Sequence, residues 1–198
     1  MSSVITIDDE GQIAYIQKRL GALKDQAPKV LARAINDTAK QARKKLVDKA
    51  QETYVVKTGR FNKAMTVKNA SQNRLSATIT TKGAPMELHD FKVSPSGRPS
   101  ASNLPETVKG KVLAAHSLKS LQKGNIKAFI TAFVSGHVTV AQRTGASRLP
   151  IKTLMSVSIP QMIGSETYVY GILQPEIAET LQKNVDAEIE KMIKKEGS

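Results

Sequence analysis

PKVLARAINDTAKQARKKLVDKA, residues 28–50, decides the fold. Leu31, Ala34, Ile35, Thr38, Ala39, Ala42, Leu46 and Ala50 recur at three- and four-residue intervals, the period of one face of an α-helix. Pro28 suits the first turn, where its missing N–H has no helical partner to lose. Alanine fills much of the stripe, so whatever covers this face approaches closely. The rest of the surface carries Lys29, Arg33, Lys40, Arg43, Lys44, Lys45 and Lys49. Two readings of that basic side stand: a solvated exterior over a packed stripe, or a rail that faces DNA or an acidic neighbour.

Outward from this helix the period changes. On its N-terminal side, residues 4–7 suggest a short strand. Asp8, Asp9 and Glu10 then place negative charge where the dipole of a following helix favours it. Ile13, Ile16, Leu20 and Leu23 give that helix an apolar face to about Lys24. On the C-terminal side, the alternation in 65–71 and 74–83 around the turn residues 69–73 predicts a β-hairpin. Leu88, Phe91 and Val93 suggest a further strand, and 108–115 another. Residues 94–110 are rich in Ser, Pro and Gly and read as a flexible loop. Lys119 to Lys127 reads as a basic connection. Residues 128–134 and 137–142 form a second hairpin around Ser135-Gly136. Pro175 is expected to open a last helix, with Ile177, Leu181, Val185, Ile189 and Ile193 on its buried side. The prediction is an α+β fold, a mostly antiparallel sheet flanked by long amphipathic helices. Residues 1–24 form an N-terminal arm with a short helix, and 25–198 a single domain.

The 198 residues carry 30 Lys and Arg against 17 Asp and Glu, a net charge of +13. Such an excess favours a polyanionic partner, whether nucleic acid, an acidic membrane face or an acidic protein surface. Cysteine is absent, which excludes a disulfide framework and a thiolate zinc site. No apolar run reaches the length needed to span a bilayer, and the N-terminus lacks the pattern of a secretory signal. Neither membrane contact nor export is expected.

Chemistry finds little support. His89, His116 and His137 stand in no ligand spacing, and Glu106 is the one carboxylate between Asp90 and Glu166. A metal-dependent nuclease needs clustered acids to hold its ion. No Gly-x-Ser-x-Gly elbow and no Gly-rich phosphate loop occur. No catalytic residue, metal ligand or cofactor is therefore expected. Nucleic-acid reading elements are missing as well: no helix-turn-helix signature, and eight scattered Tyr and Phe with no Trp. Any DNA contact should go to phosphates, independent of sequence and sensitive to salt.

One stretch remains, GHVTVAQRTGASRLPIKTLMSVSIPQMIG, residues 136–164. Proline disfavours helical geometry in the residue before it, so Pro150 and Pro160 should hold Leu149 and Ile159 extended. A stiff, irregular segment with a few apolar side chains and an arginine suits docking, since pre-ordering lowers the entropy lost on binding. A well-packed internal loop is the other reading.

Taken with what precedes it, this stretch resembles a known family. FKVSPSGRP (91–99) precedes VKGKVLA; then come Ala128-Phe129-Ile130, Gly136-His137 at a hairpin tip, and Gln142-Arg143 before Gly145. Arg148-Leu149-Pro150-Ile151, Leu154 and Ser158-Ile159-Pro160-Gln161-Met162 follow. The order is similar to the minor tail protein Z family of long-tailed bacteriophages and prophages, also counted among tail completion proteins, over about residues 25–195. Two positions depart from it: members commonly carry Phe where Ala141 stands and Gly-Pro at Ser156-Val157.

The resemblance implies a structural virion protein, assembled in the host bacterial cytoplasm. It would sit at the head-proximal end of the tail and help join tail to head. It implies a homo-oligomeric ring, a hexamer by analogy with other tail-tube components. Tail terminator, tail tube or neck proteins would be neighbours, with non-specific contact to genome DNA in the conduit. Lys40, Arg43, Lys44, Lys45 and Lys49 are the expected surface toward DNA or an acidic partner. Arg143, Arg148, Leu149, Pro150, Ile151 and Pro160 are the expected docking set. The alternative from another class is a sequence-independent, phosphate-contacting nucleic-acid-binding protein; a phosphate-ester hydrolase is a third.

Overall fold

The computed structural model describes residues 1–9, 11–56, 59–98 and 107–196. Strand β1 (Ser2–Asp8) leads into α1 (Gln12–Leu20), a 3-10 turn (Gly21–Gln26) and the long α2 (Ala27–Thr53). Then come α3 (Arg60–Ala64), β2 (Met65–Lys68), β3 (Ser76–Lys82), β4 (Pro85–Glu87), a 3-10 turn (Leu88–Asp90) and β5 (Lys92–Ser94). The second half holds β6 (Lys109–Lys111), β7 (Lys119–Ser120), β8 (Gln122–Lys123), β9 (Ile126–Ala132), β10 (Val138–Arg143), β11 (Ile151–Thr153) and β12 (Met155–Ser158). Helices α4 (Ile159–Ile163) and α5 (Tyr170–Glu196) close the chain. The class is α+β, with antiparallel pairing throughout.

Helix α2 is the spine. All eight residues of the stripe read from the sequence are buried. Thr38 is among them, satisfied by donating to the Ala34 carbonyl at 2.8 Å and accepting from Asn184 Nδ2 at 2.8 Å. Helix α5 packs on α2 in the opposite sense: Arg33 meets Glu188, Thr38 meets Asn184, and Lys45 meets Glu176. Ile177, Leu181, Val185 and Ile189 are buried on α5 as expected, while Ile193 is exposed.

Three corrections concern proline and alternation. Helix α5 begins at Tyr170, so Pro175 lies inside it rather than at its opening. Pro160 does not hold Ile159 extended; both belong to α4, where proline suits the first turn. The extended residue is Ser158 (φ −84°, ψ 161°), and it caps α4 through a reciprocal pair with Gln161. The expected strand through Leu88, Phe91 and Val93 is split, because Leu88–Asp90 turns as a 3-10 helix and only β5 pairs. The basic connection 119–127 holds the short strands β7 and β8 and the start of β9. Of the loop expected at 94–110, Ser94 ends β5 and Lys109 begins β6, while 99–106 lie outside the described residues.

Residues 1–24 pack onto the rest of the chain. Ile5, Ile7, Ile16 and Leu20 belong to the same core as α2 and α5. The first sheet runs β1-β3-β2, so the N-terminal strand pairs along the whole of β3. Helix α1 is pinned to α5 by Gln12–Gln182 (2.8 Å) and by the Tyr15 hydroxyl, which donates to Asp186 at 2.7 Å. That hydrogen bond, with lesser help from Gln182 and the Arg19 charge, holds the Asp186 carboxyl below its ordinary value. A carboxylate depressed in the folded state contributes stability above its unfolded pKa, and loses it as pH falls toward the folded one. The Tyr15→Phe protein should therefore melt below the parent at pH 7, with the gap narrowing below about pH 4, the unfolded Asp range. A gap unchanged between pH 7 and 3 would refute the link.

Candidate docking and polyanion surfaces

The basic side of α2 is not a bare rail. Lys45 Nζ lies 2.8 Å from Glu176 and 3.4 Å from Thr180 Oγ1 on α5. Lys49 faces Glu52 at 3.6 Å. Arg43 donates to the Asn62 carbonyl at 3.1 Å, and its buried Nε has no partner. Lys40 and Lys44, one turn apart and exposed, make no ion pair among the described residues. Three of the five residues of the expected surface are thus engaged, Lys45 because α5 brings Glu176 against it. Glu188 is buried and grips Lys191 at 2.6 Å, which raises the Lys191 ammonium above its usual range.

Positive charge with few acids near it in the sequence is concentrated elsewhere. Residues 91–165 carry ten Lys and Arg and one acid, Glu106, which lies outside the described residues. On the sheet β5-β6-β7, Lys92 stands directly opposite Lys111, and Lys109 is paired with Ser94. Side chains two apart on a strand share a face, so Lys92, Lys109 and Lys111 lie together on one. Val93 and Gly110 turn to the buried side, where a Cβ at Gly110 would come within 3.2 Å of Leu121. Like charges directly opposite are unfavourable in an isolated sheet. The signal for this face was the scarcity of acids after Asp90, which bears on polyanion contact as much as on metal chemistry.

The docking set separates into two groups. Arg143 ends β10, and Thr144 closes a loop by donating to the Pro150 carbonyl from its backbone N–H (3.1 Å) and its hydroxyl (3.2 Å). Arg148, Leu149 and Pro150 project from that loop, with Leu149 67% exposed. The Leu149–Pro150 peptide is cis. Ile151 is half-buried at the start of β11. Pro160, in contrast, is buried, with its ring 3.2 Å from the place a Cβ on Gly83 would occupy. It belongs to the core contacts of α4, not to an exposed docking surface. A cleft of about 380 Å³ lies beside the loop, between 125–129 and Arg143–Ala146.

The hairpin between β9 and β10 holds an apolar tip. Val134 is fully exposed and Phe133 is 41% exposed. Phe133 stacks on His137 with ring centroids 6.2 Å apart. His137 Nε2 lies 2.9 Å from Glu87 Oε2, which also accepts from Thr139 Oγ1 at 2.7 Å. His137 is thus more than a turn residue: it anchors the tip to β4. His89 Nε2 lies 3.2 Å from the Ser96 carbonyl, and Asp90 is engaged by Arg60 at 2.8 Å. Among the described residues, no three His, Asp or Glu side chains gather as a metal site requires, and no helix is long and apolar enough to cross a membrane.

The fold and its charge define a class: a basic α+β domain. The sequence model of the prophage minor tail protein Z family matches residues 15–196, and the chain belongs to that family of phage tail proteins. It is accordingly a component of the virion. No curated protein and no solved structure matches it.

Proposed function

We propose that this chain completes the head-proximal end of the phage tail and helps join the tail to the head. It would work as a homo-oligomeric ring beside tail terminator, tail tube or neck proteins, without catalysis. The observation that carries this reading is the family match over residues 15–196. The segment 91–165, with ten basic residues against one acid, supports a further part, contact with genome DNA in the conduit through Lys92, Lys109 and Lys111, with Lys40 and Lys44 adding to it. Such contacts would go to phosphates and carry no sequence preference.

The test is a prophage with this gene deleted. Induction should yield filled heads and tails that stay separate under the electron microscope. Supplying the parent chain should restore joining. The Arg148→Ala chain should enter particles poorly while melting within about 0.5 kcal/mol of the parent, as an exposed substitution does. Normal joining without the gene would sink the reading. The same lysine face also favours the nucleic-acid-binding alternative. Tight duplex binding by the free subunit, with affinity falling steeply as salt rises, would then be the outcome.

A further inference from the structure

Among the described residues, no strand pairs with either edge of the β1-β3-β2 sheet. The Gly83 N–H donates to the Met1 carbonyl, so in the antiparallel alternation Ser3, Ile5 and Ile7 turn their backbone groups toward β3. Ser2, Val4, Thr6 and Asp8 therefore point theirs away, and among the described residues no backbone bond meets them. The same alternation carried across β3 pairs Thr66 with Thr80 and Lys68 with Thr78, which leaves Met65 and Val67 facing outward from β2. Neither edge carries a proline or a bulge to blunt it. Beside β1 two adjoining hollows of about 370 and 310 Å³ run between the strand and Pro160, Tyr170 and Pro175, which leaves space along its edge.

We infer that β2 of one copy adds to β1 of the next, so that successive copies share one continuous sheet. This rests on the self-assembly part of the proposed function. Strands β1 and β2 each run antiparallel to β3 and so parallel to one another. A rotation about an axis along the strands keeps that sense, and β2 then meets the neighbouring β1 in parallel. In a parallel pair each outward residue bonds the two residues flanking its level on the other strand. Through β3, Val67 is level with Ile5 and Met65 with Ser3. Carried to the neighbouring copy, that register gives Val67 the Val4 carbonyl and the Thr6 N–H. Met65 takes the Ser2 carbonyl and the Val4 N–H. The groups left open on one edge are those the other edge needs.

Charge selects this partner over an isologous one. The β1 rim is acidic, with Asp8 on the strand and Glu166 beside its N-terminal half. The β2 rim is basic: Lys68, exposed, is level with Thr6 and next to Asp8 on the same face, and Lys63 precedes the strand. Pairing β1 with β1 sets acid against acid, whereas β2 on β1 sets base against acid.

The absence of cysteine gives a clean test. Within one chain Thr6 and Lys68 lie two strands apart, about 9.5 Å, beyond the roughly 7 Å a disulfide spans. Between copies in this register they are adjacent. Particles carrying Thr6→Cys with Lys68→Cys should give, on oxidation, a ladder of covalent multimers in non-reducing gels. Each single variant should stay monomeric. Asp8→Lys added to the pair should abolish the ladder. Particles that hold the doubly substituted chain in several copies without a ladder would overturn the shared sheet while leaving the proposed function standing. Disulfide dimers from Thr6→Cys alone would overturn it in favour of β1 on β1. Particles that form and join normally without the chain would remove both.

Discussion

The Phe61→Ala protein is expected to lose about 3–5 kcal/mol of stability, the usual loss for a fully buried phenylalanine. At about 2–4 °C per kcal/mol for a chain of this size, its melting point should drop by roughly 6–20 °C. Phe61 is wholly inaccessible, yet it sits in a helix of only five residues. So short a helix has almost no stability of its own, and α3 is held by what its side chains bury. It packs against α4, whose Ile159, Met162 and Ile163 are themselves buried, and it leads directly into β2. Calorimetry of the full chain measures the effect. A change under about 1 kcal/mol would mean that Phe61 is not the anchor of this corner.

The opposite sign is expected at Pro175. Proline within a helix removes one hydrogen bond and crowds the carbonyl four residues back, which costs about 3 kcal/mol relative to alanine. Pro175 is the sixth residue of α5, so the carbonyl deprived of its donor is that of Gly171. Pro175→Ala restores the bond and should stabilise the protein by about 1–3 kcal/mol, the lower figure reflecting the freedom alanine returns to the unfolded chain. A melting point unchanged or lowered would show that the helix start is shaped by something other than this bond. Gly171 offers a reason for the early start: a Cβ there would run into the Glu166 backbone carbonyl, so glycine lets α5 begin against the turn before it.

These two positions also show what the sequence made readable. The stripe of α2 was legible because burial of one helical face imposes its period on consecutive residues, and all eight positions read that way are buried. The hairpin about Gly136 was legible because its turn needs φ +83°, which glycine adopts without strain. The proline rules misled where two of them compete. A proline inside the first turns of a helix looks the same in sequence as one that opens it, and Pro160 was read for its effect on Ile159 although Ser158 and Gln161 spell a capping box. Of the candidate surfaces, the exposed loop at Arg148 and Leu149 was visible in its proline and glycine punctuation. The engagement of Lys45 was not, because Glu176 lies 131 residues away and only the antiparallel docking of α5 brings it near. The lysine face of β5 and β6 required a strand register that no local pattern contains.

That antiparallel docking also governs how the molecule comes into being. Strand β1 and helix α1 are made well before α5, and α1 is fastened to residues 182 and 186 of that helix. Contacts between positions 170 residues apart form only after the loop between them has closed, which slows folding. The N-terminal segment therefore leaves the ribosome without its cover and waits for α5 to arrive. A chain cut short before Tyr170 would leave α2 unclasped along the side that α5 seals.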